Sequence, residues 1–128
     1  MNDSRFEFEN LKVWKKSMYL SNQIIQILDN TNLIRSHFKL FEQLEAAAAS
    51  VPANIAEGKG RKFDKDYLRF LYYSRGSLYE TVTFLKLFHD NNWISNEEYQ
   101  KLDKQCLTIG KMLNALIRSV RNRENPKS

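Results

Sequence analysis

The chain has 128 residues, a formal net charge of +5, four glycines, two prolines and one cysteine. This length suits one domain with a core of its own. A single cysteine excludes an intramolecular disulfide and a zinc site built from several thiolates of one subunit. No apolar run reaches the length of a membrane span, and the first residues lack the basic and apolar regions of a signal peptide, so we expect a cytoplasmic protein with no membrane partner.

The low content of glycine and proline, with abundant Leu, Ile, Lys and Glu, favours helices over sheet. Four amphipathic segments with short connections predict an all-α fold, an antiparallel four-helix bundle in up-down-up-down order. We assign residues 10–121 to this bundle. Residues 1–9 are expected to form a flexible N-terminal arm and residues 122–128 a basic, disordered tail.

The first predicted helix covers residues 10–28, and the second runs from a cap at Ser36 to Glu57 or Gly58. Gly58 is expected to end the second helix in the left-handed conformation. Pro52 lies inside this helix and should kink it without ending it, while residues 46–49, all alanine, should allow a close helix crossing. The apolar stripe of the first helix is Leu11, Trp14, Met18, Ile25 and Leu28, with Ser21 in its one gap.

The third predicted helix, residues 64–89, has two apolar faces, although a lone bundle needs only one. We interpret the second face as an oligomer interface made by Phe70, Tyr73, Phe84 and Leu87, the alternative being a broad core contact. In the fourth helix, Ser95 and Glu98 form a capping box. Its core stripe is Leu102, Cys106, Ile109, Leu113, Leu116 and Val120.

Bundles often hold di-metal carboxylate sites, but the Glu-x-x-His pairs that such sites need are absent from this sequence. His37 and His89 are expected to be ordinary helix-end residues, and Cys106 a buried apolar side chain. The segment of residues 57–61 has two glycines but neither the spacing of a phosphate-binding loop nor a preceding strand. We therefore expect a non-catalytic protein without metal or cofactor.

Asn54, Glu57, Arg75 and Glu80 are the polar residues closest to an organised set. An acid–base pair of the two carboxylates is conceivable, but we favour structural hydrogen bonding. Glu57 lies in the last turn of its helix, where the helix dipole disfavours a carboxylate, so a cationic partner such as Arg61, Arg69 or Arg75 is expected. Arg75 should be paired in the same way.

Two sets of cations are candidates for binding RNA or DNA. Lys104, Lys111 and Arg118 recur every seven residues on the last helix, and Arg121 and Arg123 extend this stripe. The connection after the second helix adds Lys59, Arg61, Lys62 and Lys65, with Phe63 and Tyr67 nearby as aromatic rings that could stack on bases. A simple solvated face, and a scaffold protein that contacts other proteins only, remain the alternatives.

Residues 54–61 read Asn-Ile-Ala-Glu-Gly-Lys-Gly-Arg. Together with residues 8–14, Gln43-Leu44, Arg75-Gly76-Ser77 and Met112-Leu113, this segment resembles the rRNA intervening-sequence protein family, which is similar to accessory proteins of diversity-generating retroelements. The resemblance implies a four-helix bundle, a homo-oligomer that is typically a pentamer, association with nucleic acid or a protein that handles it, and no catalytic residues. One departure is Glu45-Ala46, where family members often carry arginines.

Overall fold

A computed structural model describes residues 6–30 and 37–124. A short 3-10 turn, Glu7–Asn10, precedes four helices: α1 (Lys12–Asp29), α2 (Phe38–Lys59), α3 (Asp64–Asp90) and α4 (Asn96–Glu124). No strand occurs within these ranges. The predicted all-α class and the number of helices are confirmed, whereas the predicted cap Ser36 lies outside the described residues.

Neighbouring helices are antiparallel, because residues late in one helix contact residues early in the next. Between α3 and α4, Lys86 bonds to Tyr99, Arg75 to Asn114 and Arg123 to Asp64, so positions later in α4 meet positions earlier in α3. Phe41 packs on Phe88 while Ser74 bonds to the Val51 carbonyl, which shows the same relation between α2 and α3. Lys59 reaches Glu7 and Ser21 bonds to Ala48, so α1 and α2 are antiparallel as well.

The buried face of α1 differs from the predicted stripe. Met18 and Ile25 are each 37% exposed, whereas Ser17, Leu20 and Ile24 are buried, and Ser21 and Leu28 of the predicted stripe are buried as well. Two adjacent stripes on this helix fit a spacing of three and four, and each contains one serine whose hydroxyl donates to a buried carbonyl. The buried residues of α1 are Val13, Ser17, Leu20, Ser21, Ile24 and Leu28.

The core stripe of α4 is close to the predicted one. Ile117 is buried where the sequence pattern favoured Leu116, which is half-buried and packs on the edge of the core. The Ser95–Glu98 capping box is confirmed: the Glu98 N–H donates to Ser95 Oγ, and the Ser95 N–H donates to Glu98 Oε1, both at 3.0 Å. This cap fixes where the last helix begins.

Pro52 lies inside α2, and the helix continues beyond it to Lys59, as predicted. Proline has no N–H to donate to the carbonyl four residues earlier, which here belongs to Ala48. The Ser21 hydroxyl of α1 donates to this carbonyl oxygen at 2.8 Å. The close approach of α1 to the alanine segment therefore supplies the hydrogen bond that Pro52 removes from α2.

The prediction that Gly58 ends α2 in a left-handed conformation is wrong. The helix continues to Lys59, and no glycine among the described residues has a positive φ. Gly58 is buried at the crossing with α3, where an added Cβ would lie 2.9 Å from Phe70 Cβ and 3.2 Å from the Tyr67 carbonyl oxygen. Glycine fits this position because it has no side chain and the two helix backbones come close together there.

Regular structure extends beyond both predicted boundaries of the bundle. Residues 6–9, assigned to a flexible arm, include part of the 3-10 turn, and Phe8 packs edge-on against Trp14 with ring centroids 5.3 Å apart. Residues 122–124, assigned to a disordered tail, continue α4, and Arg123 forms a two-bonded ion pair with Asp64. Glu7 also lies 3.9 Å from Lys59 of α2, so contacts with the bundle involve residues of both segments.

Candidate nucleic-acid interface

The cations of the α2–α3 connection fall into two kinds. Lys59 lies 3.9 Å from Glu7, and Arg61 lies 2.7 Å from Glu57, so carboxylates partly neutralise both. Lys62 and Lys65 are exposed, and neither has a carboxylate within ion-pair distance in the part of the chain that the structure describes. Lys62 and Lys65 are therefore the members of this set that are available to a phosphate.

Aromatic rings accompany these cations. The guanidinium groups of Arg61 and Arg69 lie 4.6 Å and 4.7 Å from the ring centroid of Phe70. Phe63 is 61% exposed beside Lys62 and could stack on a base as predicted. Tyr67 cannot do so, because its ring is only 4% exposed. Burial raises the pKa of the Tyr67 hydroxyl, so this group stays protonated.

The predicted stripe on α4 consists of exposed residues beside two grooves. Lys104 borders a groove against α1, whereas Lys111 borders a groove against α3. Arg118 is exposed, and Arg121 donates a hydrogen bond to the Tyr72 hydroxyl at 2.5 Å. A repeat of seven residues drifts by only about 20° for each heptad of a straight helix, so Lys104 and Lys111 lie on nearly the same face of α4.

The end of α4 lies beside the start of α3, because Arg123 bonds to Asp64 at 3.1 Å and 3.2 Å. This contact brings the α2–α3 connection to the same end of the bundle as the last turns of α4. We call the exposed cations Lys62, Lys65, Arg118 and Arg121 the basic end. Lys104 is 17 residues before Arg121, about 25 Å along the helix axis, and is therefore not part of the basic end.

The predicted polar set is divided among separate local contacts. Asn54 donates to the carbonyl and hydroxyl oxygens of Ser50, both at 2.9 Å, and Glu57 accepts from Arg61. Arg75 pairs with a neutral amide rather than a carboxylate, donating to Asn114 Oδ1 at 3.0 Å. Glu80 is exposed. The two carboxylates Glu57 and Glu80 are therefore not brought together as an acid–base pair would require.

The predicted interface residues lie on the flank of α3 next to α2. Tyr73 is 50% and Leu87 is 42% exposed. Phe84 packs partly against the core, and Phe70 is half-buried beneath the two guanidinium groups. A second apolar surface, which the sequence pattern did not predict, lies on the opposite flank of α3, where Tyr79 is 55% exposed beside the exposed Leu107 of α4. In the sequence, Leu107 was the sign of this second apolar surface, because it is an apolar residue on the otherwise polar face of α4.

The histidines and the cysteine take part in packing. His37 stacks on Trp93 at 3.9 Å and His89 on Tyr99 at 4.2 Å. Cys106 is buried, and burial raises the pKa of its thiol to about 12. Within residues 6–30 and 37–124, no three His, Cys, Asp or Glu side chains are placed to hold a metal ion. No helix in these ranges has both the length and the apolar character of a membrane span.

A comparison with known protein families identifies the family of this chain. The model of the 23S rRNA-intervening sequence protein family matches residues 9–115, which covers most of the chain. The chain belongs to this family. The match includes the Asn54–Arg61 segment, which in the structure forms the last turns of α2 and the start of the cationic connection.

A similar solved structure agrees with the fold. A protein of unknown function from the S23 ribosomal protein family of Bacteroides thetaiotaomicron superposes with a TM-score of 0.76 at 23% identity. The alignment covers 82% of this chain and 97% of the other. At this identity the likeness shows the shared helical architecture alone. No curated protein matched the chain.

Proposed function

We propose that this member of the intervening-sequence family is a non-catalytic, homo-oligomeric protein that binds RNA or DNA through its basic end. The observation that carries the proposal is the position of Lys62 and Lys65. Both are exposed, neither has a carboxylate partner in the described residues, and they flank Asp64, which pairs with Arg123 near the end of α4. Unpaired cations can neutralise phosphates and release the counterions condensed on a nucleic acid. Phosphate contacts of this kind give affinity with little sequence preference.

The opposite end of the bundle has a different charge. Asp29 and Asp90 end α1 and α3 there, and Glu97 and Glu98 begin α4. This separation of charge would orient an approaching polyanion toward the basic end. Binding to nucleic acid agrees with a cytoplasmic location. A protein that itself handles nucleic acid is a further proposed partner of the same surface.

Assembly into a ring would multiply this surface. A closed ring with an odd number of subunits requires two different patches on each subunit. The two exposed flanks of α3, one with Tyr73 and Leu87 and the other with Tyr79, supply such patches. The family resemblance favours five subunits. Several weak phosphate contacts on one assembly would raise the overall affinity without any new contact.

The test is a titration of labelled single- and double-stranded RNA and DNA at several salt concentrations from about 50 to 200 mM. We expect wild type to bind with an affinity that falls steeply with salt. The Lys62→Glu/Lys65→Glu variant should bind more weakly to every sequence, and each lost phosphate contact should reduce the logarithmic salt slope by about 0.7–0.9.

The control is Lys39→Glu/Lys111→Glu, which places the same substitutions on exposed lysines outside the basic end. Both double variants lower the formal net charge from +5 to +1, so a general loss of attraction would affect them equally. If the two variants bind alike, the basic end is not the binding surface. If wild type binds no nucleic acid at about 50 mM salt, the proposed function is wrong and the scaffold alternative is favoured.

A further inference from the structure

A groove of about 560 Å³ lies between α1 and α4, away from the α2–α3 connection. Its walls include Lys16 and Tyr19 from α1, and Lys101, Lys104, Gln105 and Thr108 from α4. Ligand pockets in proteins have volumes of roughly 300–1,000 Å³, so this groove has the size of a binding site. Only Lys104 among these residues was a candidate from the sequence.

The groove has cations on both walls. Lys16, Lys101 and Lys104 are exposed, and within the described ranges none of them lies within ion-pair distance of a carboxylate. An anion in the groove could therefore contact ammonium groups from both helices. Charges of one sign that line a cleft concentrate the potential inside it.

Tyr19 is an exposed ring held in a defined position. It is 58% exposed, and Gln23 Nε2 donates a hydrogen bond to its hydroxyl oxygen at 3.2 Å. Gln105 Nε2 in turn donates to Gln23 Oε1, which links the ring to α4. Because the Tyr19 oxygen already accepts a bond, its own O–H proton remains able to donate to a ligand.

The groove therefore presents both kinds of group that bind single-stranded nucleic acid. The ammonium groups of Lys16, Lys101 and Lys104 can contact phosphates, and the exposed Tyr19 ring can stack on a base.

We infer that this groove binds a single-stranded segment of nucleic acid, with a base stacked on Tyr19 and the adjoining phosphates on Lys16, Lys101 and Lys104. The inference rests on the proposed function and specifies the form of nucleic acid and a second contact surface. A stacked base must be accessible on its face, which is true of a single strand but not of a paired duplex. Lysines that follow a backbone beside an aromatic ring are the common arrangement for binding single strands.

The test is fluorescence anisotropy of a labelled oligouridylate of about 12 nucleotides, alone and paired with oligoadenylate, in the presence of the full chain. Tyr19→Ala should raise the Kd for the single strand about 5- to 150-fold and change the Kd for the duplex by less than about 2-fold. Tyr19→Phe keeps the stacking ring and should retain most of the affinity. Lys16→Glu/Lys101→Glu should weaken single-strand binding and reduce its salt slope.

The matched control is Phe38→Ala, which removes an aromatic ring of similar exposure, 54%, from the start of α2. It should leave the ratio of single-strand to duplex affinity unchanged. If wild type binds the single strand and Tyr19→Ala binds it equally well, the groove is not the site, and the basic end alone explains binding. If Tyr19→Ala changes the oligomer size in light scattering, the groove is a subunit interface and the inference is wrong. If wild type binds neither probe, the proposed function itself fails.

Discussion

Replacing Ser21 by alanine tests how α2 accommodates Pro52. The Ser21 hydroxyl donates to the Ala48 carbonyl at 2.8 Å, and both residues are buried, at 6% and 1% exposure. Pro52 has no N–H for this carbonyl. Ser21→Ala should therefore leave a buried acceptor without a partner, which lowers the free energy of unfolding by about 1–3 kcal/mol.

The double-mutant cycle with Pro52→Ala isolates the cause. Alanine at position 52 restores an N–H that can donate to the Ala48 carbonyl, so Ser21→Ala should cost much less in that background. We expect a coupling energy of about 0.5–3 kcal/mol between the two sites. The free energies come from urea denaturation followed by circular dichroism, at one fixed protein concentration because assembly also contributes to stability.

Ser17→Ala is the control for Ser21→Ala. Ser17 is a fully buried serine of the same helix, and its hydroxyl donates to the Val13 carbonyl at 2.6 Å. That carbonyl keeps its ordinary helical donor, the Ser17 N–H, when the hydroxyl is removed. Ser17→Ala should therefore show no coupling with Pro52→Ala. A coupling energy for Ser21 within about 0.3–0.5 kcal/mol of zero would refute the explanation, because independent sites behave in that way.

Two further predictions concern the helix crossing and the assembly. Gly58→Ala should lower the free energy of unfolding by about 1–3 kcal/mol, because the added Cβ would lie 2.9 Å from Phe70 Cβ. Gly76→Ala, at an exposed position of α3 with no atom within 4 Å of the added Cβ, should instead stabilise by about 1 kcal/mol, and equal effects in thermal melts would contradict the close crossing. For the assembly, Leu87→Glu on the exposed flank of α3 should reduce the oligomer size in light scattering, with Tyr73→Glu acting similarly. A wild-type monomer at the concentrations used would exclude the ring.

Local chemistry along the chain determined the secondary structure. Helix number and type follow from periodicity of apolar residues, and the start of α4 follows from the Ser95–Glu98 box, whose two hydrogen bonds join residues three apart. The continuation of α2 beyond Pro52 was also predictable, because the apolar stripe continues through it. The Asn54–Arg61 segment likewise indicated the family, because its resemblance is carried by the order of residues along the chain alone.

Only the tertiary structure decided the features that join distant parts of the chain. The buried Ser21 hydroxyl has a partner because the Ala48 carbonyl lies opposite it on another helix, and Gly58 is buried because α3 crosses there. The α4 cations border two different grooves, because Lys104 lies beside α1 and Lys111 lies beside α3. The groove between Lys16 and Lys101 exists because α1 and α4, which are far apart in sequence, pack side by side. Periodicity shows which face of a helix is apolar, but not which residue of another helix lies opposite it.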